Sequence, residues 1–293
     1  MDVNPQTDPA LPSSARSAAV AGQANAASAT AEPGSPDGVF GFASFLLKVV
    51  LAFMILRSFV IAPFSIPSDS MLPNLWQGDY VIASKWPYGY SRYSLPFNAP
   101  LIPGQLFARP PERGDIVFFK HPADEADYVK RVVAVPGDTI AMKDGRIVLN
   151  GAVIEQKRID DFSIPLSAIS DCPSAQWDTV GATGEIQCQM ERLRESWPGD
   201  RQSDVLNIAT IPQDNFAEIE VPEGRVFVLG DHRDKSSDSR FPAQADLGVG
   251  LVPLNNLVGR AEFIIWSTDG SAQWAKPWTW FTAARWDRIG TGL

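Results

Sequence analysis

The sequence predicts a mainly β fold of antiparallel sheets behind one N-terminal transmembrane helix. Three observations carry this reading. From Phe42 to Ala62 the chain reads FASFLLKVVLAFMILRSFVIA, a largely apolar run of 21 residues, long enough to cross a hydrocarbon core of roughly 30 Å at about 1.5 Å per helical residue. Beyond it the pattern changes to short β-branched or aromatic segments bounded by Gly, Pro or charge, at 79–83, 115–119, 128–135 and 226–229. Within 139–149, Asp144-Gly145 supplies the positive φ angles of a type I′ hairpin turn, and Asn150-Gly151 follows as a second turn signal.

Residues 1–38 are rich in Ala, Ser, Pro and Gly, with no aromatic residue before Phe40. Such a segment buries too little apolar surface to offset its ordering entropy, which predicts a disordered tail. The transmembrane helix is placed at 39–64. Lys48 and Arg57 interrupt it, but long aliphatic stems let both reach the headgroups. A cleaved signal peptide is the competing reading, since Val60-Ile61-Ala62 loosely resembles a cleavage site. The apolar run is longer than a usual h-region, however, and Pro63 follows Ala62 directly. Charge leaves the orientation open, because the tail holds only Arg16 against Asp2, Asp8, Glu32 and Asp37.

The β-rich domain is assigned to 65–154 and 223–293. Residues 84–112, with six prolines, read as an irregular excursion packed on the core. Residues 155–222 are acidic and poor in alternation and read as an inserted subdomain. Cys172 and Cys188 lie inside it; a bridge would stabilise that loop by up to about 3 kcal/mol, and the compartment decides whether it forms. Trp266, Trp274, Trp278, Trp280 and Trp286 crowd the C-terminal part, where indole rings serve either core packing or a membrane interface.

A formal net charge of −9 argues against nucleic acid, because phosphate binding needs a basic footprint. The chain has two histidines, His121 and His232, and two cysteines, without the close spacing of zinc ligands. Neither metal nor cofactor is expected, and a Ser-His-Asp hydrolase would have to use one of those two histidines.

Chemistry is suggested first by Ile66-Pro67-Ser68-Asp69-Ser70-Met71-Leu72-Pro73, where two serines sit between prolines at the edge of the apolar run. A serine alone is usually solvated or caps a helix, so a base must be found. Lys130, on a strand face with Tyr128, Val132 and Ala134, lies in apolar company that would disfavour its ammonium form and lower its pKa toward neutrality. The bland alternative is a structural lysine that snorkels. The third stretch, Gly230 to Arg240 (GDHRDKSSDSR), would ordinarily be a solvated loop. Its order also suits a network in which Ser236 orients a lysine amine and Asp238 pairs with Arg240.

Taken in order, RSFVIAPFSIPSDSMLPNL, GDYV, RGDIVFFKHP, YVKRVVAVPGD, GDHRDKSSDSR and LVGRAEFIIW resemble the type I signal peptidases, membrane-bound serine proteases of the Ser/Lys dyad class in peptidase family S26. The resemblance implies the signal-peptidase/LexA-like β fold, with Ser70 as nucleophile and Lys130 as general base. It implies an oxyanion hole from the Ser70 N–H and the Ser68 hydroxyl, Ser236 orienting the Lys130 amine, Asp238 and Arg240 holding the loop, and Gly230 permitting close backbone approach. Phe64, Ile66, Met71, Leu75, Tyr128 and Val129 would line shallow apolar pockets for a signal peptide with small residues at the first and third positions before the cut. The expected partners are signal-peptide-bearing preproteins and the lipid bilayer, met by a monomer at the bacterial inner membrane with its catalytic domain on the outer, periplasmic side. That compartment would permit a Cys172–Cys188 bridge.

Departures from the family pattern are Asn74 for Thr, Asp69 where Gly is common, the large Phe118 near the third-residue pocket, and His232 and Lys235 for asparagines. Two alternatives stay open. One is a self-cleaving Ser/Lys repressor-type protease, although no helix-turn-helix or Ala-Gly linker is apparent. The other is a membrane-tethered β module that binds secretory proteins without catalysis.

Overall fold

In the computed structural model, residues 36–181, 184–245, 247–273 and 275–293 are described. The chain divides into two units, Met1–Leu47 and Lys48–Leu293. The predicted tail at 1–38 lies outside the described residues up to position 35, and so does Trp274.

Helix α1 runs from Pro36 to Phe59, with proline at a first-turn position where its missing N–H removes no helical bond. Its segment Phe40–Phe59, 20 residues of mean hydropathy 2.0, is long and apolar enough to cross a membrane. Its large side chains, Phe45, Leu47 and Phe53 among them, are exposed, as suits a helix solvated by lipid. The helix stops five residues short of the predicted boundary at 64. Pro63 explains this: it offers no N–H, and its ring would clash with the Phe59 carbonyl one turn back. Ile61–Ser65 becomes a strand instead.

That strand is the edge of a seven-stranded antiparallel sheet. Its order is Ile61–Ser65, Asp79–Ser84, Leu257–Ser267, Ile116–Lys120, Asp127–Ala134, Arg225–Leu229 and Val252–Pro253. The mainly β, antiparallel fold class read from the sequence is the one observed. Four of these strands cover the segments expected from β-branched patterning. Two apolar clusters pack against the sheet: one gathers Ile66, Met71, Leu75, Val81, Ile116, Phe118 and Val129, the other Val117, Phe119, Val132, Val226 and Val228. Because successive side chains of Ile116–Lys120 alternate between these clusters, the strand is buried on both faces.

The hairpin expected at 139–149 forms, pairing Thr139–Lys143 with Arg146–Leu149 around Asp144 at φ 48° and Gly145 at φ 75°. Asn150 and Gly151, at φ 52° and 78°, turn the chain again into Ala152–Val153.

The segment 155–222 is more regular than its composition predicts. Glu155–Pro165, Asp178–Val180, Ile186–Trp197 and Arg201–Leu206 form their own antiparallel sheet. Phe216–Glu220 pairs instead with the 139–143 strand, so the insertion ends near Leu206. Alternation was hidden because charged residues occupy both faces of Glu155–Ile159 and a bulge shifts the register between Ile159 and Phe162. Cys172 and Cys188 are disulfide-bonded, and this closes a loop whose entropy in the unfolded chain is worth about 3 kcal/mol.

Among the C-terminal tryptophans, Trp266 packs edge-on to Trp286 at 5.7 Å, whereas Trp278 and Trp286 are mostly exposed. Arg288 ties this end to the core: it donates to both oxygens of the buried Asp79 and to the Asn74 carbonyl, and lies 4.2 Å from the Trp76 ring centroid.

Candidate active site

Three segments far apart in the chain meet at one point. The Ile61–Ser65 strand leads through Pro67 into the serines; the Asp127–Ala134 strand carries Lys130; and the Arg225–Leu229 strand, hydrogen-bonded beside it, delivers the 230–240 loop. Lys130 Nζ lies 2.7 Å from Ser70 Oγ. Both residues are buried. Burial lowers the Lys130 pKa to about 8, with Asp238 and then Asp231 opposing the shift. The Tyr128 ring, 5.7 Å from the amine, lies on the same side. A buried hydroxyl in contact with an amine of such basicity can lose its proton to that amine, which makes it a competent nucleophile.

Ser68 is exposed, with its Oγ 3.4 Å from Ser70 Oγ. On the far side of Ser70, its carbonyl accepts the His232 N–H at 3.1 Å. Gly230 fits here for want of space: a Cβ would come within 2.2 Å of Ser236 Oγ and 2.5 Å of the Ser70 carbonyl oxygen. Ser236 is therefore brought to the nucleophile, but the hydrogen bond to Lys130 expected from the sequence does not form. Its hydroxyl is buried without a hydrogen-bond partner.

Asp238 and Arg240 form a fully buried pair, with Arg240 donating to both carboxylate oxygens at 2.8 and 2.9 Å. Asp238 also accepts the Gly230 N–H at 3.1 Å, and Arg240 reaches the Arg233 carbonyl. The loop is thus cross-braced by charge-assisted bonds.

A cleft of about 570 Å³ opens beside the serines, lined by Arg57, Phe64, Ser68, Phe118, Tyr128 and Val129 among others. Phe64 stacks on Phe118 with centroids 4.2 Å apart and closes one end. Of the six pocket residues implied by the resemblance, Phe64, Tyr128 and Val129 reach this cleft. Ile66, Met71 and Leu75 are instead 2%, 0% and 0% exposed and pack with Phe118 and Val129 in the cluster behind it. These three are core residues and do not line the cleft.

Several participants escaped the sequence reading. Arg131 donates to both oxygens of Asp231 at 2.7 Å, and Asn74 Nδ2 donates to Asp231 Oδ2 and to the Asp204 carbonyl, each at 2.7 Å. This buried junction joins the nucleophile segment, the lysine strand, the 230–240 loop and the inserted sheet. Asn74, first noted as a lost hydroxyl, is one of its members. A second brace runs from Arg233 to the buried Glu195 of the insertion at 2.6 Å. The available signal was an arginine, Arg131, in the midst of a valine-rich strand.

Asp69 is half-buried and turned toward charge. Burial raises its pKa, Lys235 lowers it, Asp171 raises it and Arg285 lowers it. One of its oxygens is buried without a hydrogen-bond partner. His232 is buried with both ring nitrogens unpartnered, and burial followed by repulsion from Lys235 pushes its pKa down to about 4. His121 Nε2 lies 3.1 Å from the Gly248 carbonyl. Neither imidazole bonds to Ser70, so the histidine mechanism has no geometry here.

Comparison with known proteins shows the family to which the chain is similar. The family model described as "Signal peptidase, peptidase S26" matches residues 39–266. A signal peptidase I of Rickettsia typhi is 35% identical over 237 residues, 78% of this chain and 80% of its own length. One of Rickettsia akari is 34% identical over 230 residues, covering 75% and 77%. A solved signal peptidase I of Enterococcus faecalis is 23% identical and covers 51% of this chain and 95% of its own, with a TM-score of 0.26.

Proposed function

Because the chain belongs to the signal peptidase family, peptidase S26, and is a membrane-anchored serine peptidase of it, we propose that it removes signal peptides from preproteins by Ser/Lys dyad acyl-enzyme chemistry. The observation that carries this reading is the 2.7 Å contact between Ser70 Oγ and a buried lysine of lowered pKa. Lys130 takes the Ser70 proton as the oxygen attacks the scissile carbonyl. The Ser70 N–H and the Ser68 hydroxyl stabilise the oxyanion. The ester forms as the amide C–N bond breaks, and the proton passes from Lys130 to the leaving amine. Water, deprotonated by the same amine, then hydrolyses the ester.

Strand pairing supports a peptide substrate. Among the described residues the Ile61–Ser65 strand pairs only with Asp79–Ser84, and the ladder between Asp127–Ala134 and Arg225–Leu229 begins at Arg131, beside the cleft. An extended segment entering there adds as a strand, with alternate side chains aimed at the cleft. The Phe64–Phe118 stack leaves little depth, which favours small residues at the first and third positions before the cut. The expected setting is the bacterial inner membrane, with the cleft on the periplasmic side.

The full chain in detergent is expected to cut a preprotein bearing Ala-x-Ala, and N-terminal sequencing of the product would locate the cut directly after the second Ala. Cleavage elsewhere, or none, defeats the reading. Phe118→Val is expected to raise kcat/KM for Leu relative to Ala at the third position by roughly tenfold or more, the scale on which a few methylenes are discriminated. An unchanged ratio would remove Phe118 from specificity.

A further inference from the structure

Where α1 ends, the protein encloses a second cavity, of about 290 Å³, between the last turn of the helix and the excursion after Trp86. Three cations line it, Arg57, Lys85 and Lys120, against one carboxylate, Asp127. Asp127 is paired with Lys120 at 2.9 Å. Lys85 is 5% exposed, and its amine makes one hydrogen bond, to the Ser94 carbonyl at 3.0 Å. An ammonium has three N–H donors. Burial first and then repulsion from Arg57, with Asp127 opposing and Lys120 adding to the depression, together lower the Lys85 pKa to about 8. The cavity thus holds more positive charge than its own carboxylate balances, and a buried charge without a counter-ion is costly.

The bland reading is a structural lysine that ties down Ser94. Such a lysine needs no open space around it and no second and third cation facing it. Two further facts indicate which kind of anion fits. Arg57 belongs to the last turn of the Phe40–Phe59 span, which sets the cavity at the depth of lipid headgroups. Phe97, on the rim, is 98% exposed, an apolar ring held out beside a cationic hollow. A ligand with a phosphate at one end and hydrocarbon at the other satisfies both.

We propose that Arg57, Lys85 and Lys120 bind the phosphodiester of an anionic phospholipid, with Phe97 against its glycerol and acyl portion. The inference rests on the membrane anchor and not on the peptidase reading. Arg57, Phe64 and Asp127 also line the cleft, so the bound lipid borders the entry of the substrate.

Native mass spectrometry of the full chain, released from detergent with dioctanoyl phosphatidylglycerol, dioctanoyl phosphatidylcholine or inorganic phosphate, tests this. Phosphatidylglycerol is expected to be retained over phosphatidylcholine, and excess inorganic phosphate to compete poorly. Lys85→Gln and Lys120→Gln should each weaken retention roughly tenfold, the loss expected for one charge-assisted hydrogen bond. Lys143→Gln, an exposed lysine on the hairpin, should leave retention unchanged. If Lys85→Gln does not fold, as judged by its melting transition, the Lys120→Gln result decides. Equal retention of the two lipids, full displacement by equimolar phosphate, or an equal loss in Lys143→Gln would each overturn the proposal.

Discussion

Lys130→Met is expected to lower kcat for preprotein cleavage by at least about a thousandfold, within the range that a positioned general base contributes, and Ser70→Ala to remove turnover entirely. The fold should survive the lysine change. Holding Lys130 at a pKa of about 8 instead of 10.5 disfavours its charged form by about 3 kcal/mol. Below pH 8 Lys130 is protonated in both states and the folded one holds the ammonium buried at that cost, so the penalty is fully present there. It fades as pH rises from about 8 toward 10.5, and stability rises with pH in that window. A methionine of similar length carries no such penalty, so the variant should melt no lower than the parent at pH 7. Inactivity with an unchanged or raised melting point separates a lost base from a lost fold. In the parent, kcat/KM should increase with pH up to about 8 and then level off, because the base must be neutral. Activity independent of pH between 6 and 8, or a Lys130→Met variant of near-parental rate, would refute the dyad.

The second large effect is expected at Asp238. It and Arg240 are both fully buried, and removal of one partner leaves the other charge without compensation. Asp238→Ala should therefore destabilise the fold by roughly 3–5 kcal/mol, a large fraction of the about 5–15 kcal/mol typical of a domain. Chemical denaturation would measure it, and a loss under about 1 kcal/mol would show the pair to be dispensable. Asp238→Asn distinguishes bracing from electrostatics. Asp238 is the first charge that holds the Lys130 pKa up, so the amide should allow it to fall further. The acidic limb of the pH profile would then move to lower pH, while a purely structural Asp238 would leave it in place.

The junction of Asn74, Asp231 and Arg131 also explains why an insertion can matter to a site it does not line. The Asp204 carbonyl and Glu195, both in the inserted sheet, accept from Asn74 and Arg233, and the Leu206 N–H donates to the Asp231 carbonyl. The loop that carries Gly230 and Ser236 is therefore clamped from outside the seven-stranded sheet.

The apolar span, the 139–149 hairpin and the strands at 79–83 and 226–229 were legible in the sequence because hydropathy, proline position and turn propensity act over a few residues. So were the segments that meet at the candidate site: a serine beside prolines, one lysine among valines, and a polar loop after a strand, in an order resembling a known family. The inserted sheet was not, since charged residues fill both faces of Glu155–Ile159 and a bulge breaks the register after it. The core burial of Met71 and Leu75, the partnerless hydroxyl of Ser236 and the charged surroundings of Asp69 were equally hidden.

By itself, then, the sequence determined that this protein has a helix long and apolar enough to span a membrane, a mainly β domain and the groups for serine–lysine chemistry. Tertiary structure alone decided that Lys130 meets Ser70 at 2.7 Å, with a pKa near 8. The physical reason is that desolvation and ion pairing depend on which distant segments enclose a group. Lys130 is enclosed by residues 60 positions before it and about 100 after it, and no local pattern records their approach.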